Sequence, residues 1–161
     1  MQTIDGSQTA VGLRFALIVS KYNDFVTDRL QTGALAALAA AGVSSDDITV
    51  VRVPGAFEIP IAAQHVAESG RYAAVVCLGC VIRGSTPHFE FIASAVSQGL
   101  TAAAAATGVP MMFGVLTTNS AEEALERAGD GSANKGWEAA AAAVEMAAIV
   151  AQLTQSPAVN R

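Results

Sequence analysis

The chain has 161 residues, a formal net charge of −5 at pH 7 and no run of basic residues, which disfavours a nucleic-acid partner. Its charged fraction of 14% is well below the usual figure of about 25%, whereas 52% of its residues are hydrophobic. We therefore expect a single domain over residues 1–161 that buries much of its surface against other copies of the chain.

Four apolar runs alternate with stretches of helical pattern along the chain. The runs predict buried parallel strands at Leu13–Val19, Ile48–Val53, Ala73–Leu78 and Met111–Leu116. The helices are expected at Phe25–Ala41, from Glu58 to Gly70, at Phe89–Thr107, from Ser120 to about Ala128 and at Trp137–Leu153. Residues 1–12 predict an arm or a short edge strand, and residues 154–161 a frayed tail. Short connections between these elements predict an α/β fold, a parallel sheet with helices on both faces.

Local signals mark the beginnings of three of these helices. Asn23 or Asp24 can cap the first helix. Glu58 and Pro60 suit the first turn of the second, where a carboxylate and a proline are both favoured. The segment Ser120–Glu123 has the capping-box pattern.

The stretch 91–121 carries no charged residue and therefore has to be considered as a membrane span. Serine, threonine, glutamine, glycine and proline interrupt it, and its many alanines add little membrane affinity. The N-terminus lacks a signal-peptide pattern. We expect a cytoplasmic protein with no membrane partner.

The stretch Gly79–His88 lies between a predicted strand and a predicted helix, where an open α/β sheet usually binds its ligand. Ser85 and Thr86 offer hydroxyls and amides to an anion. The stretch nearly matches a P-loop, but Ser85 stands where the lysine should follow the second glycine, which disfavours an NTPase. His88 can accept and return a proton. An enzyme acting on a phosphorylated small molecule is therefore favoured over a glycine turn without function.

Other side chains near the predicted strand ends could complete such a site. Phe25 or Phe57 could stack on a flat heterocycle, although each could equally cap the core. Glu58 could accept hydrogen bonds from ligand hydroxyls, or only match the helix dipole. The cations available to a bound anion are Arg83, Arg127 and Lys135.

The two cysteines form a C-x-x-C pattern, Cys77 to Cys80, that has to be weighed as a redox pair. Their odd spacing places the side chains on opposite faces while the strand persists, so the thiols could not bridge. No closed zinc site of the usual Cys/His kind is expected within one chain.

Together these residues resemble the 6,7-dimethyl-8-ribityllumazine synthase family. The matching segments follow the family's order and are Val53–Pro60, Gly79–His88, Gly114–Asn119, Glu126–Gly129 and Asn134–Gly136. The resemblance implies a flavodoxin-like sheet of order 2-1-3-4. It also implies a transferase of riboflavin biosynthesis that condenses 5-amino-6-(D-ribitylamino)uracil with 3,4-dihydroxy-2-butanone 4-phosphate, releases phosphate and water, and uses no metal or organic cofactor.

The resemblance also implies a role for each matching residue. His88 would transfer protons, and Phe25 would stack on the pyrimidine. The ribityl side would be held by Ala56, Phe57, Glu58, Cys80, Val81 and Ile82. Ser85 and Thr86 would bind the phosphate. Phe113 and Arg127 would come from a neighbouring subunit, with Arg127 on the phosphate and Lys135 supporting the same region.

The family builds homopentamers, and some members pack twelve pentamers into a hollow icosahedral shell, where riboflavin synthase can be enclosed. Members confined to pentamers often carry an insertion between Arg127 and Lys135, and this chain is short there, which favours the 60-subunit shell. The chain departs from the family at Asp130-Gly131, where many members carry Thr-Lys, and at Cys80, where Ala or Val is more usual.

Three alternatives stay open from the sequence. A flavodoxin-like module could bind a flavin or lumazine without chemistry. A shell protein could have its cavity as its function. A thiol oxidoreductase would form a disulfide between Cys77 and Cys80.

Overall fold

The computed structural model describes residues 1–155, whose strands and helices alternate in the predicted order. The strands are β1 (Phe15–Ser20), β2 (Ile48–Val53), β3 (Ala74–Ile82) and β4 (Met111–Thr118). The helices are α1 (Asp24–Ala40), α2 (Ile59–Glu68), α3 (His88–Thr107), α4 (Ala121–Arg127) and α5 (Lys135–Thr154). Short 3₁₀ turns at Ser45–Asp47 and Ala56–Glu58 precede β2 and α2.

The four strands form one parallel sheet in the order β2-β1-β3-β4, which confirms the flavodoxin-like α/β prediction. Apolar side chains alternate between its two faces. One face packs against α1 and α5, and the other against α2 and α3. The chain leaves β1 for β2 on one side and returns to β3 on the other. Sheets of this kind bind ligands at such a switch point, beyond the carboxyl ends of the strands.

The third strand is longer than predicted, because β3 continues through Gly79 to Ile82 instead of ending at Leu78. A Cβ on Gly79 would lie only 3.1 Å from Cδ1 of Ile59, so this glycine permits close helix–sheet packing. The extra residues pair with β4 from Gly79–Val115 to Ile82–Thr118. The interpretation of Gly79 as the first glycine of a phosphate loop is therefore wrong, and the loop begins at Arg83.

The helix beginnings follow the sequence signals in part. Glu58 lies at the cap position of α2 and not, as predicted, in its first turn. Pro60 lies in the first turn of α2, and Ser120 Oγ accepts a hydrogen bond from the Glu123 amide at 3.2 Å. Asn23 occupies the cap position of α1 but does not cap it with its side chain. It adopts the left-handed conformation (φ 60°, ψ 45°), which asparagine tolerates better than most residues, and its Nδ2 donates to the Cys80 carbonyl at 2.9 Å.

Residues 1–14 contain no helix or strand, and parts of this arm contact α1 and α5. The Ala10 amide donates to the Ala41 carbonyl at 2.9 Å, and Gln152 Nε2 donates to the Asp5 carbonyl at 2.7 Å. Of the predicted tail, residues 156–161 lie outside the described residues. Among residues 1–155, no helix is both long enough and apolar enough to cross a membrane.

Candidate active site

A cleft of about 610 Å³ opens at the carboxyl ends of β1 and β3, and we call it the switch-point cleft. Eight of the sequence-predicted residues line it: Ala56, Phe57, Glu58, Cys80, Val81, Ile82, Thr86 and His88. Tyr22, Asn23, Gly55, Gly84, Phe89 and Ile92 complete the lining. The fold thus gathers strand ends, the turn before α2 and the start of α3 around one space.

One wall of the cleft is the 3₁₀ turn Ala56–Glu58, which directly precedes α2. A Cβ on Gly55 would lie 3.1 Å from Glu58 Oε2, so glycine lets the carboxylate fold back over the turn. Phe57 is 58% exposed although it is large and apolar. An exposed ring beside a carboxylate suits a flat ligand that carries hydroxyl groups.

A second part of the lining comes from the exposed loop from Arg83 to Pro87 and the first turn of α3. His88 is the first residue of α3 and is exposed to the cleft. Pro87 at the cap position supplies no side-chain acceptor, so the amides of this helix end attract an anion. Thr86 lines the cleft, whereas Ser85 is exposed on the same loop but does not line it.

The aromatic residue after β1 that lines the cleft is Tyr22 and not Phe25. Tyr22 lines the cleft and is 72% exposed. Phe25 is 46% exposed in the first turn of α1 and lies outside the cleft lining. Tyr22 and Asn23 were not predicted as site residues, although they lie only two and three residues after the end of β1.

A second cavity of about 380 Å³ lies between β4, α4 and α5, and we call it the β4 cavity. Phe113, Arg127 and Lys135 line it, together with Glu138. Arg127 Nη1 donates to the Glu123 carbonyl at 2.9 Å, and Lys135 Nζ lies 2.7 Å from Glu138 Oε2. The fold therefore separates these three predicted residues from the switch-point cleft of the same chain.

Asn134 holds the framework of the β4 cavity and is only 3% exposed. Its Oδ1 accepts from the amides of Gly136 at 2.7 Å and Trp137 at 3.2 Å, which caps α5. Its Nδ2 donates to the carbonyls of Arg29 at 3.1 Å and Gly129 at 2.8 Å. A buried amide with all these bonds made is costly to disturb.

Close helix packing supports the same framework. A Cβ on Gly136 would collide with the Leu30 carbonyl of α1, so only glycine allows α5 to begin so close to α1. The segment that carries Lys135 is thereby fixed against the first helix.

The two cysteines are free and buried on opposite faces of the sheet, as their spacing predicts. Burial raises the pKa of the Cys77 thiol far above its ordinary value and that of the Cys80 thiol to about 11. Both groups are therefore protonated at neutral pH and lack the thiolate that disulfide exchange needs.

Known proteins are similar to this chain over most of its length. The family model for 6,7-dimethyl-8-ribityllumazine synthase matches residues 12–151. The chain is 49% identical over 149 residues to the 6,7-dimethyl-8-ribityllumazine synthase of Desulfatibacillum aliphaticivorans, covering 92% of this chain and 96% of that protein. It is 51% identical over 153 residues to the protein of the same name from Nitratidesulfovibrio vulgaris, covering 95% of this chain and 98% of that protein. It is also 51% identical over 149 residues to the one from Syntrophus aciditrophicus, covering 92% of this chain and 97% of that protein. The chain belongs to the 6,7-dimethyl-8-ribityllumazine synthase family of enzymes.

Proposed function

We propose that this protein condenses 5-amino-6-(D-ribitylamino)uracil with 3,4-dihydroxy-2-butanone 4-phosphate to form 6,7-dimethyl-8-ribityllumazine, with release of phosphate and water. This is a step of riboflavin biosynthesis, and we propose that it takes place in the cytoplasm. The observation that carries the proposal is the switch-point cleft of a family member, with His88 and Thr86 on one wall and Phe57 and Glu58 on the other.

The pyrimidine substrate belongs on the wall formed by Ala56, Phe57 and Glu58, where an exposed ring and a carboxylate match a heterocycle with a polyol chain. The carboxyl end of β3, from Cys80 to Ile82, lines the cleft beside this proposed position of the pyrimidine. We assign stacking on the pyrimidine to Tyr22 in place of Phe25, because only Tyr22 lines the cleft.

The phosphate of the second substrate belongs at the start of α3, with Thr86 and Ser85 as hydroxyl donors. Imine formation and phosphate loss require proton transfer and charge neutralisation. His88, exposed at the cleft, is the group that would move the protons. Holding two substrates together can supply about 7–11 kcal/mol of the barrier, and one acid–base group typically adds about 10²–10⁴-fold in rate.

The switch-point cleft has no Lys or Arg among its described lining residues, so the phosphate needs a cation from elsewhere. We propose that Arg127 of a neighbouring subunit supplies it, with Phe113 and Lys135 from the same β4 cavity. The assembly would be a homopentamer, with twelve pentamers forming a hollow shell. Native mass spectrometry tests this assembly, and a particle of only five chains at every concentration would refute the shell.

The direct test is to mix the two substrates with the purified protein and follow lumazine fluorescence. The proposal predicts product formation that depends on both substrates. Tight binding of the pyrimidine substrate or product without turnover would instead support a binding module. Assembly into a shell without turnover would support a structural protein.

A further inference from the structure

Arg83 is the first residue of the loop that forms one wall of the switch-point cleft, and its side chain folds back over that loop. Its Nη1 lies 3.1 Å from Glu90 Oε1, and its guanidinium carbon lies 4.6 Å from the centroid of the Phe89 ring. Both partners lie in the first turn of α3, directly after His88. One side chain thus joins the entrance of the loop to its exit.

The same side chain is anchored to the end of the neighbouring strand. Arg83 Nε donates to Asn119 Oδ1 at 3.0 Å, and the Arg83 amide donates to the Thr118 carbonyl at 2.8 Å. Asn119 is held in turn, because its own amide donates to Glu123 Oε2 at 2.9 Å. The loop that carries Ser85 and Thr86 is therefore tied to β4 and to the start of α4.

Protein groups already occupy part of the Arg83 guanidinium. Its Nε and one Nη already have acceptors, and one face of the guanidinium covers Phe89. Arginine suits this arrangement because its planar group presents several donors at fixed angles, whereas lysine offers one compact ammonium. An exposed ion pair alone contributes little, but here four contacts restrain a loop that has no helix or strand of its own.

We propose that Arg83 is a positioning residue that holds the Gly84–Pro87 loop in the shape that binds the phosphate of the substrate, and that it acts through Asn119, Phe89 and Glu90. This inference rests on the proposed function. It assigns the phosphate-neutralising charge to another residue, although the sequence alone left Arg83 as a candidate for that role.

Two single variants separate positioning from direct binding. Arg83→Lys keeps the charge but cannot reach both acceptors, and Asn119→Ala keeps Arg83 but removes its anchor. We expect each to raise KM for 3,4-dihydroxy-2-butanone 4-phosphate about fivefold, equivalent to about 1 kcal/mol. We expect KM for the pyrimidine substrate to change less than about twofold, since a general loss of structure would raise both.

Double substitution and a matched control sharpen the test. The double variant Arg83→Lys with Asn119→Ala should raise KM for 3,4-dihydroxy-2-butanone 4-phosphate little more than either single variant does. Both substitutions break the same linkage between the loop and β4. Gln64→Ala removes an exposed pair on α2, Gln64 Nε2 to Glu68 Oε1 at 2.9 Å, and should leave both KM values unchanged.

Amide hydrogen exchange of the loop gives a readout that does not require activity. The amides that bracket the loop are hydrogen-bonded, Arg83 to the Thr118 carbonyl at 2.8 Å and Glu90 to the Pro87 carbonyl at 3.0 Å, and their exchange should be faster in both variants than in the wild type. A wild-type protein without turnover would refute the proposed function, while exchange would still report on the loop. An unchanged or lowered KM for 3,4-dihydroxy-2-butanone 4-phosphate in either single variant, or unchanged exchange in both, would overturn the positioning role.

Discussion

The switch-point cleft and the β4 cavity share no lining residue and differ in chemistry. The first offers a histidine, exposed rings and helix amides, but no Lys or Arg among its described lining residues. The second offers Arg127, Lys135 and Phe113, but no histidine. A phosphate ester that must lose its phosphate needs both a cation and a proton-transfer group. Each surface therefore offers what the other lacks, which supports the proposal that two neighbouring chains complete one site.

The largest effect should come from His88, the proposed proton-transfer residue of the switch-point cleft. We expect His88→Ala to lower kcat by about 10²–10⁴-fold while substrate positioning sustains a residual rate. Steady-state lumazine fluorescence measures this loss. His65→Ala is the matched control, since His65 lies exposed on α2 and should leave the rate unchanged. Wild-type activity in His88→Ala would remove His88 from its assigned role.

The second-largest effect should come from Arg127 in the β4 cavity. We expect Arg127→Met to raise KM for the phosphate substrate about 10- to 100-fold, because charge-assisted hydrogen bonds contribute about 1.5–3 kcal/mol. Arg52→Met, which breaks an exposed pair with Asp28 at 3.1 Å, should change KM little. An equal increase in both variants would mean that Arg127 acts only through general electrostatics.

Mixed assemblies test whether the two surfaces belong to different chains of one site. Subunits carrying His88→Ala and subunits carrying Arg127→Met, unfolded and reassembled together in equal amounts, should regain roughly a quarter of wild-type activity. Half of the sites have an intact His88, and half of those face an intact Arg127, if neighbours meet head to tail at random. If mixing restores nothing, each chain completes its own site and the proposed division is wrong.

A smaller effect should distinguish the two aromatic candidates. Tyr22→Ala, which removes the ring, should raise KM for the pyrimidine substrate by up to about tenfold. An aromatic pair contributes about 0.5–1.5 kcal/mol beyond its buried area. Phe25→Ala serves as the matched comparison and should have a smaller effect on that KM. The reverse order would return the stacking role to Phe25.

The smallest effect concerns the two buried thiols, Cys77 and Cys80. Because burial raises the pKa of Cys80 to about 11, while a thiol in an unfolded chain titrates near about 8.5, the folded state favours the protonated form. This contribution to the free energy of unfolding is complete below about pH 8.5 and is lost as the pH rises towards 11. Iodoacetamide at pH 7.5 should therefore leave activity unchanged, and rapid inactivation would show an accessible thiolate.

Most of the fold could be predicted because apolar runs report burial directly. The run Ile48–Val53 has the same bounds in the structure and in the prediction. The length of β3 could not be predicted, because a glycine in sequence signals either a turn or a close approach. Only the position of Ile59, twenty residues earlier in the chain, shows that Gly79 serves the second purpose.

The candidate site was less predictable where side-chain direction or partners decided the outcome. Between Tyr22 and Phe25 the chain passes through the left-handed Asn23, and no periodicity predicts which ring then faces the cleft. Arg83 and Arg127 are equivalent candidates in sequence. They differ in three dimensions because Asn119 and Glu90 engage Arg83, whereas Arg127 lines the β4 cavity.

The bond from Asn134 to the Arg29 carbonyl joins residues 105 positions apart. Such a contact forms only after a long loop has closed, and loop closure slows folding. During synthesis, the strands and turns around the switch-point cleft leave the ribosome before α5 does. In the proposed assembly, the β4 cavity would therefore be completed last, and a nascent chain would not offer its cations to a neighbour until its own fold is nearly finished.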